Sequence, residues 1–280
     1  MSTPTIAVTG ATGFVGGHVA RLLAAAAVPQ RLLVRTPANA PALPGAEVAG
    51  SSYADPAAAR AALAGVDTLL MVSATESADR LQQHFAFIDA ARAAGVRHVL
   101  YTSFLSAAPD AVFTLARDHA ATEEHMRASG MSWTFLRDSF YLDFLGGLPG
   151  EDGVIRGPAG NGRVSAVTRV DVARSAAAVL QAPQDHRDTV YTLTGPEALT
   201  LAEVAQVLTD VRGTPATYHE ETLEEAYRSR EHYGAPAWEV DAWVTTYTAI
   251  AAGALASVTD DVEHLTGTPA MSLEQFLQQV

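Results

Sequence analysis

The stretch that decides the fold is IAVTGATGFVGGHVARLL, residues 6–23. It runs from an apolar segment, IAVT, through glycines at 10, 13 and 16 into FVGGHVARLL, whose apolar residues recur at helical spacing. A strand that turns through closely spaced glycines into a helix is the context in which a glycine pattern reads as a phosphate cradle. Each glycine then has its own physical task. One permits the tight turn, one removes the Cβ that would collide with a pyrophosphate, and one lets the helix lie close on the strand. The helix N-terminus adds N–H groups and a partial positive charge. We therefore expect Gly10, Ala11, Thr12, Gly13, Phe14 and Val15 to wrap a dinucleotide diphosphate; the other reading is a tight turn that holds no ligand.

Outward from this stretch, short apolar runs alternate with helical patterns. RLLVR (31–35), DTLLMVS (67–73), RHVLYTS (97–103) and SWTFLR (132–137) read as strands. Residues 56–65, 78–95 and about 115–129 read as helices, ended by Gly65, Gly95 and Gly130. Strands apolar on both faces and separated by helices predict a parallel sheet covered on both sides, with right-handed crossovers. The second half is less regular. Residues 150–165 are glycine-rich, with short strands. Residues 169–182 and 200–213 read as helices, the latter from a threonine N-cap, and 188–195 as a strand. Residues 222–256 look helical with a break at YGAPAW (233–238). The expected class is α/β, a Rossmann-type doubly wound parallel sheet with a smaller, mostly helical C-terminal substrate subdomain. Residues 1–150 form the nucleotide-binding core, and 151–280 are mixed, with roughly 165–200 returning to the core.

The 280 residues carry a net charge of −13, against electrostatic nucleic-acid binding and against a polybasic membrane anchor. There is no cysteine, which excludes disulfides and thiolate chemistry. The nine histidines show no metal-ligating spacing, so no metal site is expected. MSTPTIAVTG lacks the pattern of a secretory signal and reads as a cytoplasmic start. The uncharged run 242–258 is too short to span a bilayer and reads as a buried helix. All 18 basic residues are arginine, so every mechanism that needs a lysine is closed to this chain.

The second strand selects the nucleotide. A site for NAD usually ends this strand with an acid that takes the ribose 2′-hydroxyl. Here it ends in Arg35 with no acid nearby. A guanidinium there can pair bidentately with a 2′-phosphate, which points to NADPH/NADP; otherwise Arg35 is a solvated surface side chain.

TGATGFVGG, RLLVRTP, GVRHVLYTSF and HAATEEHMRASGMSWTFLRDSFYLDFL together resemble the NmrA-like group of atypical short-chain dehydrogenases, and most of all its bacterial NADPH:quinone oxidoreductases and triphenylmethane reductases. The likeness extends over nearly the whole chain, and the run from His119 to Phe144 is its most specific part. The resemblance implies strand order 3-2-1-4-5-6, Gly10 to Val15 on the pyrophosphate and Arg35 on the 2′-phosphate. It implies that Ser73, Ala74 and Thr75 line the adenine–ribose side, and that Asp138, Ser139, Phe140 and Tyr141 lie along the nicotinamide. Phe14 departs from the group, whose closest members often carry Gln there.

Typical short-chain dehydrogenases protonate a reduced carbonyl with Tyr-x-x-x-Lys. This chain has His119 where many NmrA-like proteins carry the lysine, and Leu115 four residues earlier. A quinone or delocalised cation absorbs hydride into its own π-system and needs little acid help, so the missing dyad points to such acceptors or to no catalysis. His119 either donates a proton or only contacts ribose. Tyr141 either bonds an acceptor oxygen or forms an aromatic wall. Ser103 and Tyr101 end a strand at a common catalytic height, and Tyr101 is also a core candidate. The acid pairs at 220–221 and 224–225 read as a solvated helix start. HYGAPAWEVDAW roofs a cleft or merely packs. Three functions compete. The first is NADPH-dependent reduction of an aromatic or quinone-like small molecule, with Tyr141 and His119 as candidate catalytic groups. The second is a non-catalytic NADP-sensing regulator, and the third a dyad-using enzyme such as an epimerase, for which the lysine is missing. The oligomeric state is not encoded in any motif.

Overall fold

The computed structural model describes residues 5–279. In chain order the elements are β1 (Ile6–Thr9), α1 (Phe14–Ala25), β2 (Gln30–Val34), β3 (Ala46–Gly50), α2 (Pro56–Ala62), β4 (Thr68–Met71), α3 (Arg80–Ala94), β5 (His98–Phe104), α4 (Thr114–Ala128), β6 (Ser132–Asp138) and α5 (Leu142–Leu145). They continue with β7 (Val154–Gly157), β8 (Arg163–Val164), α6 (Arg169–Gln181), β9 (Thr189–Leu193), β10 (Leu199–Thr200), α7 (Leu201–Arg212) and β11 (Thr217–Glu220). The chain closes with α8 (Leu223–Arg228), α9 (Ala237–Ala251), α10 (Asp261–Thr266) and α11 (Leu273–Leu277).

Seven strands form one sheet in the order β3-β2-β1-β4-β5-β6-β9. This is the expected Rossmann order, extended past β6 by β9. The pairs β1–β2, β1–β4, β2–β3 and β4–β5 are parallel, with Ala7 opposite both Arg31 and Leu69. Every residue of β1 and β4 is buried. Burial on both faces is why these strands show no alternation in sequence. Two smaller sheets pair β10 with β8 and β11 with β7.

The chain divides into two compact units that interleave in sequence. The first takes the chain up to Ser103, Ala120–Arg137 and Val170–Tyr191; the second takes Phe104–His119, Asp138–Arg169 and everything from Thr192 onward. The core of the first packs Ala7, Leu69 and Met71 of the sheet against Leu63, Phe87, Ile88 and Met126. Fully burying a leucine contributes about 1.5–3 kcal/mol, and Leu23, Leu32, Leu63, Leu69, Leu70 and Leu100 are all without exposed surface. The second unit has a separate core of Leu142, Leu145, Ile155, Leu201, Val204, Leu208, Ile250 and Leu273. Close backbone crossings hold it together. A Cβ on Gly162 would lie 2.1 Å from the Ile250 carbonyl oxygen, and one on Gly195 2.3 Å from that of Ala166.

Several local expectations need correction. The helix read as 56–65 ends at Ala62, and its C-cap is Leu63, with Gly65 (φ +78°) turning the chain just beyond. The acid pairs are not simply solvated. Glu221 is 5% exposed and pairs with Arg230 at 3.0 Å, and Glu225 completes a capping box with Thr222 at the start of α8. The uncharged run 242–258 lies partly in α9, and among the described residues no helix is long and apolar enough to cross a membrane.

Candidate active site

After β1 the chain turns at Gly10, whose φ of +64° is left-handed backbone that an L side chain adopts only with strain. The Gly13 N–H closes this turn onto the Gly10 carbonyl at 2.8 Å. Gly13 is then the N-cap of α1, with no side-chain cap. The start of the helix therefore keeps its capacity to bind an anion. The three glycines separate physically. A Cβ on Gly16 would sit 2.4 Å from the Thr9 carbonyl oxygen and 2.5 Å from that of Gly10, so Gly16 serves helix–strand packing. A Cβ on Gly13 would meet only the Gly10 carbonyl, at 3.3 Å, and Gly13 is exposed. Gly10 makes the turn, Gly16 the packing, and Gly13 leaves bare backbone at the helix mouth. This arrangement fits a dinucleotide diphosphate. Phe14 stacks on His18 with ring centroids 4.2 Å apart.

Arg35 follows the last residue of β2 and is exposed. It makes no hydrogen bond or ion pair with any described residue. Its guanidinium is therefore available to an anionic ligand group.

Beyond β4 the backbone is held by side chains. The Val72 N–H donates to Thr9 Oγ1 at 2.9 Å, the Ser73 N–H to Thr102 Oγ1 at 2.8 Å, and the Ala74 N–H to His84 Nε2 at 2.9 Å. The Tyr53 hydroxyl donates to the Val72 carbonyl at 2.5 Å and lies 2.7 Å from Thr9 Oγ1. Because His84 Nε2 accepts an N–H, its proton sits on Nδ1, which donates to Thr122 Oγ1 at 3.0 Å. Burial, helped by the Arg80 charge, pushes the His84 imidazole down to about 3, so it stays neutral.

At the end of β5, the Ser103 hydroxyl donates to Glu123 Oε1 at 2.6 Å. Glu123 has no exposed surface and also accepts from Arg137 Nε (2.8 Å), Arg137 Nη2 (2.6 Å) and Arg127 Nη2 (3.0 Å). Tyr101 is fully buried in the core, and burial raises its phenol pKa, so it packs and does not titrate. The first unit thus brings together Gly10–Val15, Arg35, Ser73–Thr75 and Ser103. They follow or finish β2, β1, β4 and β5, which are neighbours in the sheet. Ligands of parallel α/β sheets bind beyond this carboxyl edge.

The second unit holds the other candidates. The segment after β6 is anchored through its backbone: the Leu105 N–H donates to the Asp138 carbonyl (2.8 Å), the Ser139 N–H to the Leu193 carbonyl (2.9 Å), and the Val167 N–H to the Phe140 carbonyl (2.9 Å). The Tyr141 hydroxyl donates to Asp138 Oδ2. Burial, then the Asp138 charge, holds the Tyr141 phenol well above its ordinary pKa. Its proton is thereby engaged and hard to remove. Asp143 accepts from Arg169 Nε at 2.8 Å, and the Arg169 guanidinium lies 5.3 Å from the Phe144 ring. His119 is 6% exposed, with its ring 6.1 Å from that of Phe104. A cleft of about 210 Å³ is lined by Phe104, Leu105, Phe113, Ala116, Ala249 and Leu255 among others. Of the late aromatics, Tyr233 meets Trp243 edge-on at 5.6 Å and Tyr247 lies under Arg230 at 5.2 Å. Among the described residues no cluster fit to hold a metal ion occurs.

Tyr53, His84, Thr122 and Glu123 were not singled out from sequence. Only the long-range contacts of the folded chain reveal them, and no local motif marks them.

Comparison with known proteins agrees with this geometry. Residues 10–183 match the NAD(P)H-binding family. The chain is 35% identical to an NAD(P)H azoreductase of Xenophilus azovorans over 97% of its own length and 96% of that protein's. It superposes with a TM-score of 0.89, at 34% identity, on the NADPH complex of an NADPH-dependent quinone oxidoreductase of Escherichia coli, covering 98% of this chain and 99% of that one. The NADP(H) complex of a Citrobacter triphenylmethane reductase gives 0.87 at 34% identity, again covering 98% and 99%. The chain belongs to the NAD(P)H-binding family and is an oxidoreductase.

Proposed function

We propose that this enzyme uses NADPH to reduce quinone-like or other conjugated acceptors. The observation that carries the reading is that neither tyrosine candidate nor Ser103 holds a free hydroxyl proton. Tyr141 donates to Asp138 and Ser103 to Glu123, while Tyr101 is sealed in the core. The chain has no lysine, so the Tyr-x-x-x-Lys pair that delivers a proton to an alkoxide is missing. An acceptor that spreads the incoming charge over its own π-system needs no such donor. NADPH, when bound, supplies the hydride; the protein supplies position.

Gly10 to Val15 take the diphosphate, Arg35 the 2′-phosphate, and Ser73 to Thr75 the adenosine side. Ser103 completes these contacts within the first unit, and the second unit's candidates are His119 and Asp138 to Tyr141. His119 lies three residues along α4 from Ala116 of the apolar cleft, which suits a flat, neutral ring. The kinship of the azoreductase, the quinone oxidoreductase and the dye reductase supports a conjugated acceptor, since their names span three chemical types with that property in common.

The test follows NADPH absorbance with a benzoquinone, an azo dye, a triphenylmethane dye and a set of simple ketones. Turnover of conjugated acceptors with little or none of the ketones is expected. Efficient ketone reduction would overturn the mechanism. Tight NADPH binding without turnover of any acceptor would favour a nucleotide-sensing role.

A further inference from the structure

We propose that His84, buried in α3 and never in reach of an acceptor in this reading, is a positioning residue for the cofactor: it fixes the backbone of Ser73–Thr75 through the Ala74 N–H. The proposal rests on the reading that this segment meets the adenosine side of NADPH.

β4 ends its regular ladder at Met71. The next three N–H groups would ordinarily turn to water or to a loop of their own. Here each is taken by a side chain from a different element: Thr9 of β1, Thr102 of β5 and His84 of α3. Tyr53 holds the Val72 carbonyl from a fourth direction. The chain beyond β4 is thus fixed residue by residue as it enters the proposed binding edge. Val72 also borders the glycine turn, since its side chain lies 3.4 Å from where a Gly10 Cβ would be.

Within this set, His84 holds the outermost amide. Ser73 and Ala74 are half-buried and Thr75 is exposed, so His84 is the last anchor before the segment reaches solvent. An imidazole suits the task because it accepts at Nε2 while its Nδ1–H donates to Thr122 on α4. One ring therefore spans from the α4 side to the loop. A serine or alanine there would leave the Ala74 N–H without its acceptor and the segment free to shift. Sub-ångström placement of binding backbone is what cofactor affinity depends on, and hydride transfer occurs at the opposite end of the cofactor. The effect should accordingly fall on NADPH binding and spare the chemical step.

The experiment compares wild type, His84→Ala and His84→Gln, with His98→Gln as control. His98 is a comparably buried histidine of the same unit, bonded to Thr134 and opposite Thr68 at the start of β4, with no hydrogen bond to the 72–75 run. NADPH affinity is measured by fluorescence titration, turnover on one quinone by steady-state kinetics, and protection of the 72–75 peptide by hydrogen exchange. His84→Ala should weaken NADPH about tenfold, raising KM for NADPH with kcat within about twofold, and should expose the 72–75 amides. Glutamine, whose Oε1 can accept where Nε2 did, should restore affinity to within about threefold of wild type. His98→Gln should change neither affinity nor protection. Exposed 72–75 amides with unchanged NADPH affinity would overturn the proposal by showing that this segment does not meet the cofactor. Unchanged protection would overturn it by showing that His84 does not hold the segment. Equal losses in His84→Gln and His84→Ala would also overturn it. A wild type that binds NADPH yet reduces no acceptor would refute the proposed function alone, because the affinity and exchange arms still decide this inference.

Discussion

Two neutral histidines buried in the first unit should make the fold acid-labile well above the range where carboxylates protonate. His84 has no exposed surface and His98 only 2%. Burial pushes them down to about 3 and about 4, respectively, from the ordinary 6.5. In the unfolded chain both regain the ordinary value. As pH falls below about 6.5, the unfolded state takes up protons that the folded state refuses, so stability is intact at neutral pH and lost on acidification. Between pH 7 and pH 5 each histidine should cost about 2 kcal/mol, or near 4 kcal/mol together. That figure depends on the unfolded pKa and barely on the folded one, provided the latter stays at or below about 4. With an unfolding entropy of about 2.1 cal/mol/K per residue, the melting temperature should fall by roughly 7 °C. Calorimetry or urea unfolding at pH 5, 6 and 7 measures it directly, on wild type and on His84→Gln and His98→Gln. Each single substitution should remove about half of the pH slope, whatever it does to stability at pH 7. A wild type equally stable at pH 7 and pH 5, or variants that keep the full slope, would refute the assignment of both rings as buried and neutral.

Arg35→Ala should weaken NADPH by about tenfold to a hundredfold, the value of one charge-assisted bidentate contact, and leave NADH nearly unchanged; equal losses in titrations with both cofactors would sink the 2′-phosphate role. Gly16→Ala and Gly13→Val should separate packing from access. The first lowers the melting temperature, because its Cβ meets carbonyl oxygens at 2.4 Å and 2.5 Å, and the second abolishes NADPH binding in a chain with normal circular dichroism. Tyr141→Phe and His119→Ala should each cost less than about 10²-fold in quinone turnover, because general acid help, where used, is worth about 10²–10⁴-fold. A thousandfold loss with NADPH affinity intact would reveal a proton donor.

The parts of the fold legible in the sequence were those whose cause is local. β1, β4 and β5 announce themselves because both their faces are buried, and the glycine turn because a φ of +64° at residue 10 and a contact closer than a Cβ allows at residue 16 leave glycine as the fitting residue. The resemblance carried the sheet order and the cofactor. β3 was not located, and the reason is physical: Glu47, Val48 and Gly50 are exposed, with Val48 at 45%, so the strand at this sheet edge carries no apolar signature. The tethers at the proposed cofactor edge were hidden for another reason. His84 meets Thr122 38 residues away, and Thr9 meets Val72 63 residues away. A buried histidine in QQHFAF reads locally like a surface one. Glu123 likewise looks like half of an exposed acid pair, until Ser103 and Arg137 converge on it.

The interleaving of the two units bears on any attempt to divide this protein. A fragment ending near residue 150 retains β1 to β6 but loses Val170–Tyr191, and with it most of β9. In the intact sheet β9 is the neighbour that covers β6. Without it, the backbone of SWTFLRD becomes an open edge, with three consecutive buried residues, Thr134, Phe135 and Leu136, at its centre. An uncovered edge of that composition templates pairing with a second chain. The excised nucleotide-binding half should therefore be recovered as aggregates, whereas a version that splices residues 169–193 back onto its end restores the missing neighbour and stays dispersed.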